Sequence, residues 1–143
     1  MRGSGYGEGL EQQDFEEGEA HGSCQTRRNF CKRELIRLSD QRQVNLILTS
    51  GGTGFSERDT TPEATMEVMT RNAPGIAEAI RAESMKYTNR AMLSRGVSVL
   101  RNRTLIVNLP GSPKAVRESM EIILDSIHHG LGILRGSENE CAR

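Results

Sequence analysis

The sequence has no excess of charge of either sign, since 19 Lys and Arg balance 19 Asp and Glu over 143 residues. That balance lacks the basic footprint of a general nucleic-acid binder. No apolar run is long enough to span a membrane. No apolar stretch near the N-terminus has the form of a secretory signal, so the expectation is a cytoplasmic chain. Cysteine is scarce: Cys24, Cys31 and Cys141 are odd in number and have no CxxC spacing. A disulfide framework or a zinc site is therefore not expected, and three free thiols are. His128 and His129 are neighbours on an expected helix, so they point in different directions and do not make a metal pair. Apolar residues are also few, at 35%, which is low for a globular chain.

That shortage is concentrated at the front. Residues 1–29 are rich in Gly, Glu and Gln, follow neither a strand nor a helix period, and read as a disordered or aberrant tail. An acidic run (Glu16, Glu17, Glu19) precedes a basic pair (Arg27, Arg28) there. Residues 30–135 read as one folded domain, and 136–143 as a polar tail. Within the domain, Phe30, Glu34, Leu35, Ile36 and Leu38 stand near helical spacing, which predicts a helix from 30 to about 40. VNLILTS (44–50) is the continuous aliphatic run of a strand buried on both faces. A helix is expected over 60–72, with Thr61 as cap, Pro62 in its first turn, and Met66, Val68 and Met69 as its buried stripe. Pro74-Gly75 ends it, and another helix is expected at 76–87. VSVL (97–100) and TLIVNLP (104–110) read as strands joined by a tight turn. The clearest helix is 111–134, with Ser112 as cap and Val116, Met120, Ile123, Ile127 and Leu131 as its stripe. Strands alternating with helices predict an α/β fold, a three-layer sandwich with a mostly parallel sheet.

Two loops follow the buried strands. Gly51-Gly52-Thr53-Gly54 comes after LILTS, and Leu109-Pro110-Gly111-Ser112 comes after LIVN. Open α/β sheets bind ligands at the carboxyl ends of strands, and backbone amides at a helix start favour anions such as phosphate. Two such loops on one sheet edge would form a phosphate-binding crevice. The first loop has neither the Lys-Ser/Thr of a P-loop nor the GxGxxG spacing, which disfavours a Walker NTPase and a Rossmann dehydrogenase. Asp59 lies just ahead of the helix at Pro62. It either favours the positive helix end or faces the crevice and holds Mg²⁺ against nucleotide phosphates.

LILTSGGTGFSERDTTPEAT (46–65) resembles the signature of the molybdopterin adenylyltransferases, a family that includes Mog-type and MoaB-type proteins and the G domain of gephyrin. PG (74–75), MLSR (92–95) and TLIVNLPGSPKAVRESME (104–121) are similar to further motifs of that family, in the same order. The resemblance implies molybdenum cofactor biosynthesis: binding of molybdopterin and transfer of AMP from Mg-ATP to its phosphate, with release of pyrophosphate. It implies that Gly51, Gly52, Thr53 and Gly54 cradle phosphate, that Asp59 is catalytic and handles Mg²⁺, and that Ser94, Pro110, Gly111 and Ser112 line the pterin side. A homotrimer and a molybdenum-insertion protein of the same pathway are the implied partners.

The front of the chain departs from this pattern. Family members open with a strand ending in a VSD-like motif, and they carry a PDE motif before the helix expected at 30–40. Neither is visible, and Thr26 stands where the acidic residue of PDE is expected. The expectation is thus a molybdopterin-binding-like domain, incomplete at its N-terminus. The alternative to the enzyme is a non-catalytic molybdopterin-binding module or an inactive truncated relative.

Overall fold

The computed structural model describes residues 24–136. They form four helices, α1 (Cys24–Ile36), α2 (Thr61–Val68), α3 (Gly75–Ser84) and α4 (Pro113–Leu134). The strands are β1 (Leu46–Ser50), β2 (Arg71–Asn72), β3 (Ser98–Arg101) and β4 (Thr104–Leu109). They make one sheet in the order β1-β4-β3-β2.

β4 is buried along its whole length, as its apolar run requires. Side chains alternate across a sheet, and two apolar clusters result. Leu105, Val107 and Leu109 meet Ile80 of α3 and Ile123 and Ile127 of α4 on one face. Ile106, Ile47 and Val99 meet Leu35 of α1 and Val68 of α2 on the other. Helices thus cover both faces of the sheet.

The sheet is mixed rather than mostly parallel. β1 and β4 run parallel, with Leu46 opposite Leu105 and Ser50 opposite Leu109. β3 pairs antiparallel with both β4 and β2. The tight turn expected between the two strands at 97–110 enforces this, because a two-residue link cannot carry a parallel crossover. Asn102 takes φ +52° in that turn, a left-handed conformation that Asn tolerates.

Several boundaries differ from expectation. α1 begins at Cys24, so six residues assigned to the tail are helical, and a π turn at Arg37–Gln41 closes it. Arg28 and Lys32 of α1 pair with Glu67 of α2, a partly exposed contact that no apolar period announces. Residues 1–23 and 137–143 of the two expected tails lie outside the described residues. α2 stops at Val68, and Arg71–Asn72 leave it to pair with β3. Its buried side is Pro62, Ala64, Thr65 and Val68, whereas Met66 is exposed. Thr60, not Thr61, precedes the first turn, and its side chain makes no cap hydrogen bond. α4 holds as read, with the Ser112 hydroxyl accepting the Ala115 amide at 3.2 Å. Cys31 is a free, half-buried thiol, and burial pushes it up.

Candidate functional site

The register of β1 on β4 places the ends of two parallel strands side by side. Each strand runs straight into a glycine loop. The Gly51 amide donates to the Leu109 carbonyl at 3.0 Å, and the Ser50 hydroxyl donates to the Pro110 carbonyl at 3.1 Å. Gly51 and Gly111 then face each other so closely that a Cβ on Gly111 would lie 3.4 Å from the Gly51 Cα. The two loops read separately in the sequence are therefore one structure at the carboxyl ends of a parallel pair, where α/β sheets take their ligands.

Gly51 and Gly52 take φ +85° and +69°, which turns the chain sharply out of β1. The Gly52 carbonyl accepts the Thr61 amide at 3.2 Å, which folds the loop back onto the start of α2. Thr53 is buried. Gly54 sits against Asp59, where a Cβ would come 2.8 Å from Oδ2. Asp59 closes its own turn: Oδ2 accepts the Ser56 amide at 3.1 Å, and the Asp59 amide donates to the Ser56 carbonyl at 2.9 Å. The first of these bonds fixes Oδ2 in the turn.

A third segment, 94–96, reaches the same place. The Arg95 amide donates to the Thr53 carbonyl at 2.8 Å. The Ser94 hydroxyl accepts the Gly96 amide at 3.3 Å, and its own proton remains to be donated. Ser112 is in the same condition at the start of α4. Gly51 to Gly54, Asp59, Ser94, Pro110, Gly111 and Ser112 thus all belong to three joined loops.

The residues that hold those loops were not singled out in the sequence. Arg95 extends its guanidinium along the first loop, with Nε donating to the Gly54 carbonyl at 2.8 Å and Nη2 to the Asp59 carbonyl at 2.6 Å. Its Nη1 pairs with Glu63. Partial burial pushes the Glu63 carboxyl up, but the Arg95 hydrogen bond, the Glu63 backbone amide and the Arg95 and Arg28 charges outweigh it and hold the group below its usual value. Arg81 of α3 donates through Nη1 to the Ser94 and Gly96 carbonyls, each at 3.0 Å. Beneath the loops, Asn108 is buried with every polar function used. Its Oδ1 accepts the Val97 amide at 3.2 Å, and Nδ2 donates to the Thr49 and Thr65 hydroxyls at 2.9 and 3.0 Å. One signal existed for it, a lone amide inside a buried apolar strand, which must find partners.

The family model of the probable molybdopterin binding domain matches residues 26–129. The chain belongs to that family of molybdenum cofactor biosynthesis domains. It is 41% identical over 110 residues to a molybdopterin adenylyltransferase of Helicobacter pylori (strain J99), across 77% of this chain and 62% of the relative. It is 47% identical over 92 residues to gephyrin of Dictyostelium discoideum, across 64% of this chain and 13% of that one. The chain therefore spans less than two thirds of the length of these curated relatives. Among solved structures, the molybdopterin biosynthesis enzyme MoaB of Thermus thermophilus superposes with a TM-score of 0.72 at 48% identity, covering 76% of this chain and 69% of that one. The Mog protein of Mycobacterium ulcerans gives 0.72 at 44% identity, covering 76% and 70%. The α/β sandwich expected for a molybdopterin-binding domain is therefore the fold of this chain. Among the described residues no helix is long and apolar enough to cross a membrane.

Proposed function

We propose that this chain binds molybdopterin and transfers AMP from ATP to the molybdopterin phosphate. The observation that carries the reading is the contact between the two glycine loops, with Asp59 on the rim of the first. In the reaction a phosphate oxygen of molybdopterin attacks the α-phosphorus of ATP, the bond to the β-phosphate oxygen breaks, and pyrophosphate leaves. Such a transfer asks for positioning and charge neutralisation rather than covalent chemistry by the protein. Gly51, whose amide is held by the Leu109 carbonyl, shapes the turn, and the backbone amides of Gly52 to Gly54 and the start of α4 supply donors for phosphate. The Ser94 and Ser112 hydroxyls and the backbone of Pro110 and Gly111 serve the pterin side. Asp59 fits Mg²⁺, which is commonly held by one or two carboxylates, waters and substrate phosphates. Among the described residues, no group of three or more His, Cys, Asp or Glu gathers into an all-protein cage. Held there, Mg²⁺ would neutralise phosphate charge. A homotrimer and a molybdenum-insertion protein that takes the adenylylated product complete the reading, in the cytoplasm.

One observation favours a second reading, a molybdopterin-binding module without transferase activity. Thr26, in the first turns of α1, stands where the resemblance implies a second acidic residue. The test incubates the purified chain with molybdopterin and Mg-ATP and measures adenylylated molybdopterin, with Asp59→Asn alongside. Product from the chain and a rate about 100-fold lower from the variant support the transferase. No product from a folded chain that still binds molybdopterin leaves the binding module.

A further inference from the structure

We infer that Arg95 is the positioning residue of the site, the side chain that sets where Asp59 stands relative to the glycine loop. The inference rests on the transferase reading for its kinetic consequence, but its structural content is independent of it.

The segment 53–63 leaves β1 at a turn and has little apolar packing of its own, since residues 55–58 are exposed. Within it, Asp59 is tied only to Ser56, three residues away. Such a turn fixes its own shape and not its place in the molecule. Arg95 provides the second fix. It reaches four points along this segment: the Thr53 carbonyl from its amide, the Gly54 and Asp59 carbonyls from Nε and Nη2, and the Glu63 carboxylate from Nη1. These points bracket the turn at its beginning, its end and the first turn of α2. Arg95 is in turn held in place, because Arg81 grips the carbonyls on either side of it at Ser94 and Gly96.

The choice of acceptor matters chemically. Arg95 takes the backbone carbonyl of Asp59 rather than its carboxylate, and Glu63 answers the guanidinium charge. Arg95 therefore holds Asp59 by its backbone, while the ion-pair partner of the guanidinium is Glu63. A lysine lacks the planar fork that reaches several acceptors at once.

The test uses the full chain, with Arg95→Lys and Arg95→Ala, and two readouts. The first is amide hydrogen exchange over residues 53–60. Exchange is expected to rise roughly tenfold in Arg95→Ala and less in Arg95→Lys, with β4 and α4 unchanged. The second is adenylyl transfer, where kcat is expected to fall about 100-fold while KM for molybdopterin stays within a few-fold, the pattern of misplacement rather than lost binding. Added guanidinium ion should restore part of both in Arg95→Ala. If Arg95→Ala fails to fold, Arg95→Lys carries the test. Unchanged loop exchange in folded variants overturns the inference, whatever the rates. Equal losses of kcat and binding that guanidinium does not restore also overturn it. Faster, guanidinium-sensitive loop exchange in a chain whose wild type transfers no AMP supports the positioning role and removes the transferase reading alone.

Discussion

Gly52 is constrained twice. Its φ of +69° is costly for any residue with a Cβ, and a Cβ there would lie 2.2 Å from the Thr61 Oγ1. The two constraints are separable. Gly52→Ala is expected to destabilise the chain by about 3 kcal/mol, and by only about 1–2 kcal/mol in a Thr61→Ala background, where the hydroxyl clash is gone and the backbone cost remains with a close approach to the Cβ at position 61. Denaturant midpoints of the four proteins give the comparison, and equal costs in both backgrounds would exonerate the Thr61 hydroxyl. Asn108 is a different kind of residue, demanding through its partners rather than its backbone. Asn108→Leu keeps the volume but orphans the Val97 amide and takes the amide donor from two buried hydroxyls. About 3 kcal/mol is expected to be lost, read as a fall in the urea midpoint with an unchanged slope. The glycines were legible in the sequence because turn chemistry is local. Arg95 was not, and Asn108 was marked only as a lone amide in an apolar strand without its partners, because most partners of both stand 32 to 59 residues away and no spacing rule connects them.

The same contrast governs elements. α4 and the β3–β4 hairpin follow from period, cap and turn residues that lie within the element itself, and each was read almost to its ends. β2 was missed because Arg71 and Asn72 are exposed on both faces and belong to the sheet only through backbone pairing. α1 was started six residues late because its front turns carry charge instead of an apolar stripe. What holds α1 is nonetheless apolar. Leu35 is 3% exposed and lies in the cluster beneath α1 and α2, whereas Arg28 and Lys32 meet Glu67 at a partly exposed surface. Leu35→Ala is expected to cost about 3 kcal/mol. Glu67→Gln is expected to cost less than about 1 kcal/mol, and that small cost should shrink further in high salt. A larger penalty for Glu67→Gln than for Leu35→Ala, in thermal melts of both variants, would reverse this account of the helix.

Across the whole molecule, two partly exposed arginine–carboxylate pairs join segments far apart in the chain. Arg95 and Glu63 lock the 94–96 segment to α2. Arg101 of β3 holds Asp40 of the π turn, through Nε at 3.0 Å and Nη2 at 2.7 Å, while its Nη1 donates to the Val68 carbonyl at the end of α2 at 2.7 Å. The Asp40 carboxyl is held below its usual value chiefly by the Arg101 hydrogen bond, which with the Arg101 charge outweighs the opposing effect of burial. Glu63 is lowered too, with the guanidinium of Arg95 and its neighbours outweighing burial. In both cases the folded chain binds the proton less readily than the unfolded chain does. The stability each pair adds is therefore complete above the ordinary carboxylate range, about pH 4 to 4.5, and is lost as pH falls from there through the depressed folded values. Urea midpoints taken from pH 7 to pH 3 should be flat at first and then fall. The double variant Asp40→Asn/Glu63→Gln should start lower at pH 7 and fall less steeply below pH 4, so that the two curves converge in acid. Curves that stay parallel over the whole range would mean that neither pair links folding to pH. The 53–60 loop should loosen with the Glu63 pair, so amide exchange there is expected to accelerate at a pH where the β4 amides are still protected. Simultaneous loss of protection in loop and sheet would instead show that the loop opens only when the whole domain unfolds.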